Sequence, residues 1–341
     1  MNDAVIHVFL YTRPSLAEQN RAVLAQLKQL ADEFPNQTTC VDIDKNPYIR
    51  KAFGSGIPRL EIGPYFLSER FETEDIRTAL KETRVKIEDA QAVGNKWLLR
   101  QLAQKPAFST KDRFSLWFSR HYVLLFNLLV ALYLGLAFLA PTLMKFRLEP
   151  PARALYGLYK PVCHQLAFRS FFLFGEQAVY PRELAKLEGY QTFSAASGID
   201  EMDFRAAADF LGNEVMGYKA ALCQRDLAIY LAILLFGLIF AVSGRRIREV
   251  PWYIWVLIGI LPIALDGGTQ MVSQMGLPFL SWFPARESTP LLRAATGGLF
   301  GFITAWLGYP LVESSIQAGR LQLEKRHALW HGAVFVPEVS E

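Results

Sequence analysis

Residues 121–144 read HYVLLFNLLVALYLGLAFLAPTLM, with no Asp, Glu, Lys or Arg among them. A helix needs about 20 mostly apolar residues to cross the hydrocarbon of a bilayer, so this run predicts a transmembrane span. Three more follow at 227–243, 252–272 and 290–312, the first of them reaching full length if it begins near Leu222. Basic residues sit at their ends. Lys105, Lys111, Arg113 and Arg120 precede the first span, Arg245, Arg246 and Arg248 separate the second and third, and Arg320, Lys325 and Arg326 follow the fourth. All three clusters obey the positive-inside rule only if both termini are cytoplasmic. The expectation is a multi-pass protein whose first partner is the lipid bilayer.

Residues 152–175 are also apolar and aromatic, but they carry Arg153, Lys160, His164 and Arg169 and a proline at 161. Each is costly at mid-membrane, and a span here would move Arg245, Arg246 and Arg248 outside. The expectation is a helix lying on the outer surface. Residues 145–225 then form an extracytoplasmic segment and 273–289 a short outer loop. Within the former, residues 175–217 are polar and turn-rich, with a short helix predicted to start at Asp200.

Up to about residue 118 the 341-residue chain is an ordinary soluble mixture; beyond it apolar runs dominate. The net charge of +4 does not indicate nucleic acid, because the basic residues flank apolar segments where they orient a membrane protein. Residues 1–11 have no basic start of a secretory signal, which predicts that the N-terminal domain stays cytoplasmic. Three cysteines, Cys40, Cys163 and Cys223, make no disulfide framework.

The soluble part reads as a buried strand at 4–11, an amphipathic helix at 16–32, a strand at 38–43, a short helix at 47–53, a hairpin at 59–67 opened by Ile57-Pro58, and a helix at 73–83. Tyr11-Thr12-Arg13-Pro14, the strand end Val41-Asp42-Ile43-Asp44 and Gly56-Ile57-Pro58 carry a likeness. On these residues the stretch resembles the thioredoxin fold, and more closely the small glutaredoxin-like proteins. The likeness implies a cis peptide before Pro58. Where that family has Cys-x-x-Cys, this chain runs Arg13-Pro14-Ser15-Leu16-Ala17-Glu18. Thiol–disulfide exchange requires a thiolate, so a redox-dead docking domain is expected, with Cys40 a core residue. The expected fold is an α/β thioredoxin-like domain followed by an all-α membrane domain with four transmembrane helices. Its division is a glutaredoxin-like domain at 1–84, an interfacial helical linker at 85–118 carrying Trp97 and Leu102, the membrane domain at 119–313 and a cytoplasmic tail at 314–341.

The topology brings four polar motifs to the outer face. Cys223 and Asp226 are three residues apart on a helix and share a side; Cys163 and His164 are adjacent near Pro161. Together they offer ligand types that zinc accepts, and iron is also open. A Cys163–Cys223 disulfide and plain packing are the competing readings. Asp266 lies about 22 Å into a span of about 30 Å, which predicts an ion pair, with Arg293 as the natural partner. Gly267, Gly268, Gly297, Gly298 and Gly301 let helices approach or leave room for a ligand. Gln270, Arg286, Ser288 and Thr289 are expected at the mouth of that pocket. Arg225, Arg286 and Arg293 suit an anionic headgroup or phosphate.

Tyr159 through Cys163-His164-Gln165, Arg169-Ser170-Phe171, Leu222-Cys223-Gln224-Arg225-Asp226, Asp266-Gly267 and Arg286-Glu287-Ser288-Thr289 carry a second likeness over about residues 150–310. They resemble a family of prokaryotic polytopic membrane proteins, a domain of unknown function whose motifs are Cys-His-Gln, Cys-x-Arg-Cys and Asp-Gly with a later Arg-x-Ser-Thr. Asp226 stands where that family has its second cysteine. The likeness implies a prokaryotic cytoplasmic (inner) membrane.

Three functions fit these residues. One is an enzyme in which an outer-face metal acts on an anionic lipid or phosphate group, with Asp266 or Glu287 as general base. A second is a structural or partner-binding module whose thiol-free domain recruits a cytoplasmic protein. The third is a Cys163–Cys223 redox protein. No internal repeat suggests a transporter.

Overall fold

Alternation along β1 (Ile6–Thr12) buries Ile6, Val8 and Leu10 on one side of a sheet, while Tyr11 faces the other. A helix, α1 (Ala17–Gln29), leads to β2 (Asn36–Asp42), which runs parallel to β1. After α2 (Pro47–Phe53) and a cis Ile57–Pro58 bond come the antiparallel strands β3 (Arg59–Ile62) and β4 (Tyr65–Ser68), giving the order β2-β1-β3-β4. The helix α3 (Thr73–Ala92) follows. The computed structural model describes residues 5–53, 56–68, 70–95, 98–99, 108–275 and 282–331.

Val23 and Leu27 of α1 and Ile76, Leu80 and Ile87 of α3 cover the Ile6–Val8–Leu10 side of the sheet. The α3 helix runs nine residues past the expected end at Thr83, because Thr83, Ile87 and Ala90 continue its buried stripe. Those added residues take the first part of the expected linker. Trp97 and residues 100–107, with Leu102, lie outside the described residues. On the other side of the sheet Tyr11, Val41, Ile43, Ile49 and Phe53 pack together with Leu321.

That last contact ties part of the expected cytoplasmic tail to the sheet. The chain forms two compact units, Met1–Arg120 with Ser315–Glu341, and His121–Ser314. Within the first, Glu324 is fully buried; it accepts hydrogen bonds from Arg120 Nε at 2.7 Å and Nη2 at 2.6 Å, and from Asn46 Nδ2 at 2.8 Å. Lys325 reaches Glu61 at 3.0 Å and lies over the rings of Tyr11, Phe53 and Phe66. A cation over aromatic faces adds attraction to the area it covers.

Four helices are long and apolar enough to cross a membrane: α4 (Thr110–Lys145), α8 (Gln224–Val242), α9 (Trp252–Gln274) and α10, which runs Pro290–His331. The chain between α4 and α8 holds α5 (Glu149–Tyr159), β5 (Ser170–Leu173), α6 (Phe193–Ser197), α7 (Phe204–Asp209), β6 (Gly212–Asn213) and β7 (Gly217–Cys223), with β7 central in a three-stranded sheet. The surface helix expected over 152–175 is therefore corrected. Its helix ends at Tyr159, since Pro161 has no N–H to continue it. It packs inward, with Tyr156 Oη donating to the Lys219 carbonyl. The helix expected from Asp200 begins at Phe204, capped by the Asp203 carboxylate on the Ala206 N–H. The rest of this segment has a core of its own, with Phe168, Phe172, Tyr180, Phe193 and Met216 buried together.

In the second unit α8 and α10 touch at glycine. A Cβ on Gly301 would lie 2.2 Å from the Ile229 carbonyl oxygen, so Gly301→Val forces the two helices apart. The expected loss is about 1–3 kcal/mol, read as a lower midpoint of thermal unfolding in detergent.

Candidate functional site

Asp266, Gln270 and Gln274 recur every fourth residue on α9 and so share one face. The loop Arg286–Ser288, just before α10, folds against that face and creates two carboxylate centres. Asp266 Oδ2 accepts from Arg225 Nη2 at 2.5 Å and Ser288 Oγ at 2.8 Å, and its Oδ1 from Arg286 Nη2 at 2.9 Å. Glu287, 1% exposed in its side chain, accepts from Arg169 Nε at 2.8 Å, Gln270 Nε2 at 2.9 Å, Gln274 Nε2 at 3.0 Å and Arg182 Nη1 at 3.1 Å, and also from Arg293. Burial pushes the Glu287 carboxyl up, but the Arg169 hydrogen bonds and charge, with Arg293 and Gln274, outweigh it and hold the group below its usual range.

Arg293 is thus the partner of Glu287, not of Asp266. Only six residues separate them around the turn into α10, and Arg293 also donates to Gln224 Oε1 at 3.3 Å. Arg225 takes Asp266 instead, because two glycines admit it. A Cβ at Gly297 would stand 2.6 Å from the Arg225 carbonyl oxygen, and one at Gly267 would stand 3.0 Å from its Nη1. Those glycines make room for Arg225.

With every oxygen of Asp266 and Glu287 held by charged donors, both carboxylates are placed as counter-ions. A general base needs a lone pair facing substrate and a value raised toward neutrality, and Glu287 is shifted the other way. Thr289 caps α10, its Oγ1 accepting from the Leu292 N–H at 3.2 Å.

Beside these pairs lies a cavity of about 650 Å³ whose wall includes His164, Arg169, Arg205, Arg225 and Gln270. Phe204, Met271 and Met275 supply an apolar side and are exposed. Of the four residues expected at a mouth, Gln270 lines it, as does Arg225, which was expected to hold an anion; Arg286, Ser288 and Arg293 bond to the carboxylates and Thr289 caps α10. Arg169, Arg182, Arg205 and Gln274 were absent from the expected set. Arg169 stood in the Arg-Ser motif, which was signal enough. Arg182 gave no local cue: it comes from the segment before α6, reaches Glu287 across 105 residues, and lies over the rings of Phe168 and Phe204. Around the two centres the guanidinium groups of Arg169, Arg182, Arg225, Arg286 and Arg293 face three carboxylates, Asp266, Glu287 and Glu201.

Cys163, Cys223 and Asp226 place their ligand atoms within 4.8 Å of one another. His164 is exposed, lines the cavity, and is not among them. Both cysteines are free thiols. The Cys223 thiol donates to Asp226 Oδ2 at 3.2 Å. Lys219, beneath this corner, is buried; its Nζ donates to the carbonyls of Gln165 and Ala208, each at 2.6 Å, and burial pushes its value down to about 7. Burial likewise pushes the core thiol Cys40 up to about 11, which keeps it inert.

Residues 214–307 match the family described as "Predicted membrane protein (DUF2085)". The chain is also similar to an uncharacterised protein of Methanocaldococcus jannaschii, 27% identical over 161 residues that cover 46% of this chain and 67% of that one. No solved structure matches it. The family match takes in Cys223, Asp226 and both carboxylate centres, and stops short of Cys163, His164, Arg169, Arg182 and the α/β unit. Together with the four apolar helices it makes the chain an integral membrane protein.

Proposed function

We propose that the second unit binds an anionic headgroup, that of a phosphorylated lipid, in the cavity beside α9. The excess of guanidinium groups over carboxylates carries this reading. Arg182, Arg286 and Arg293 join Arg169 and Arg225 in neutralising Asp266 and Glu287, and Arg169, Arg205 and Arg225, with His164, line the cavity. Planar guanidinium groups suit phosphate oxygens. The exposed Phe204, Met271 and Met275 on the same wall suit the start of an acyl or prenyl chain. By the charge pattern of the spans, the site faces the outside of a prokaryotic inner membrane and both termini are cytoplasmic.

A second, compatible reading concerns the α/β unit. Its strand order and cis Pro58 support a thioredoxin-like fold, and its lack of a thiol at Arg13–Glu18 supports a holding role over a redox one. The first thing it holds is this chain's own tail, through Leu321, Glu324 and Lys325. A cytoplasmic protein partner would use the remaining surface.

Thermal unfolding of detergent-purified protein tests the lipid reading. Phosphatidic acid is expected to raise the midpoint and phosphatidylcholine to leave it unchanged. Arg205→Glu, at an exposed position on the cavity wall, is expected to weaken the phosphatidic acid effect about tenfold in concentration. Equal shifts with the two lipids would rule the reading out.

A further inference from the structure

The turn that carries Cys163 brings its sulfur to the N-cap of α8. Gln165 has φ +52°, in the left-handed region that a residue with a side chain rarely adopts. The backbone N–H of Cys223 donates to the Cys163 sulfur at 3.3 Å. The turn is held in place, since the buried Gln165 donates its Nε2 to the Tyr156 carbonyl at 2.8 Å and accepts Lys219 Nζ on its own carbonyl at 2.6 Å. Cys223 stands at the N-cap of α8, where its Sγ lies 3.2 Å from Asp226 Oδ2 and accepts the Asp226 N–H at 3.5 Å.

The Cys223 N–H aimed at the Cys163 sulfur, next to a helix N-terminus, suits a metal-bound thiolate. Donors of this kind also orient and tune metal-bound ligands. The two sulfurs and an Asp226 carboxylate oxygen lie within 4.8 Å of one another, close enough for one ion to reach all three.

We propose that Cys163, Cys223 and Asp226 bind one thiophilic divalent cation of the zinc class, tying the turn at 160–165 to the first turn of α8. Zinc accepts two sulfurs and a carboxylate oxygen in a tetrahedron, with water as the fourth ligand. Binding replaces the Cys223 S–H···Asp226 hydrogen bond and releases one proton from each thiol. His164 takes no part; it and Arg225, each next to a ligand in sequence, line the cavity. The ion is a clamp that fixes two parts of the cavity wall, and it does not touch the anion. The proposal stands whether or not the cavity binds lipid.

The test is cobalt titration of full-length protein purified in detergent, stripped with chelator under reducing conditions and checked for three free thiols. One Co(II) per chain is expected to give a thiolate-to-cobalt charge-transfer band and the strong visible bands of a tetrahedral ion. Elemental analysis of protein purified without chelator should find about one zinc or iron per chain. Cys163→Ser and Cys223→Ser are expected to lose the charge-transfer band and Cys40→Ser to retain it. Because the serine variants can fail to fold, Asp226→Asn is read as well: it should keep the charge-transfer band and weaken cobalt affinity at least tenfold. Wild type with three free thiols and no cobalt spectrum overturns the proposal. So does a Cys163–Cys223 disulfide in protein trapped by alkylation in intact cells, and so does Asp226→Asn with unchanged affinity.

Discussion

Glu287→Ala is expected to cost the second unit about 3–5 kcal/mol, the usual result of removing one member of a buried charge cluster. Glu287 accepts from Arg169, Arg182 and Arg293, and the last two side chains are 3% and 4% exposed. Without the carboxylate their charges are stranded in a space that water does not reach. Glu287→Gln keeps the shape but not the charge and should fall between Ala and wild type. The same residue sets an acid limit. Its folded value lies below the ordinary 4.5, so its stabilisation is fully present above pH 4.5 and is lost as pH falls through the lower folded value. Thermal midpoints of wild type and Glu287→Gln should therefore converge as pH drops below 4.5. A constant gap down to pH 3 would show that the carboxylate is not the stabilising group.

Asp266→Asn has the second largest expected effect, about 2–3 kcal/mol, smaller because its partners Arg225 and Arg286 are 23% and 33% exposed and water screens part of the charge. Pairing predicts a pattern in double variants. Asp266→Asn with Arg225→Gln should show a coupling of about 1–3 kcal/mol, and Asp266→Asn with Arg293→Gln a much smaller one. Arg293→Gln should couple instead to Glu287→Gln. Strong coupling of Asp266 to Arg293 would restore the pairing that depth in the membrane suggests on its own.

The spans were legible because hydropathy and length are one-dimensional properties: the four apolar runs appear within four helices, with α4 starting at Thr110, α10 running to His331, and β7 taking Leu222 and Cys223 so that α8 starts at Gln224. The order of strands and helices before residue 84 was legible from periodicity for the same reason. The partners of the charges were not. Depth alone placed Asp266 near Arg293, but pairing depends on the loop at 286–288 folding back and on Gly267 and Gly297 admitting Arg225. Arg182 was invisible because nothing within its own segment marks it, and its role arises from a contact 105 residues away. His164 read as a metal ligand because it adjoins Cys163, yet the Cys163 sulfur lies with Cys223 and Asp226 while the imidazole lines the cavity. The contacts of the tail beyond residue 314 were not legible, because its buried Glu324 and covered Leu321 look like ordinary members of a charged helix until the α/β unit is folded against them.

The most direct measurement is native mass spectrometry of the full-length protein released from detergent containing equal phosphatidic acid and phosphatidylcholine, beside Arg205→Glu and across a range of salt. One phosphatidic acid retained per chain, displaced as ionic strength rises and reduced in Arg205→Glu, is the predicted result. Equal retention of both lipids, unchanged by salt and by the substitution, would contradict an anion site in the cavity beside α9.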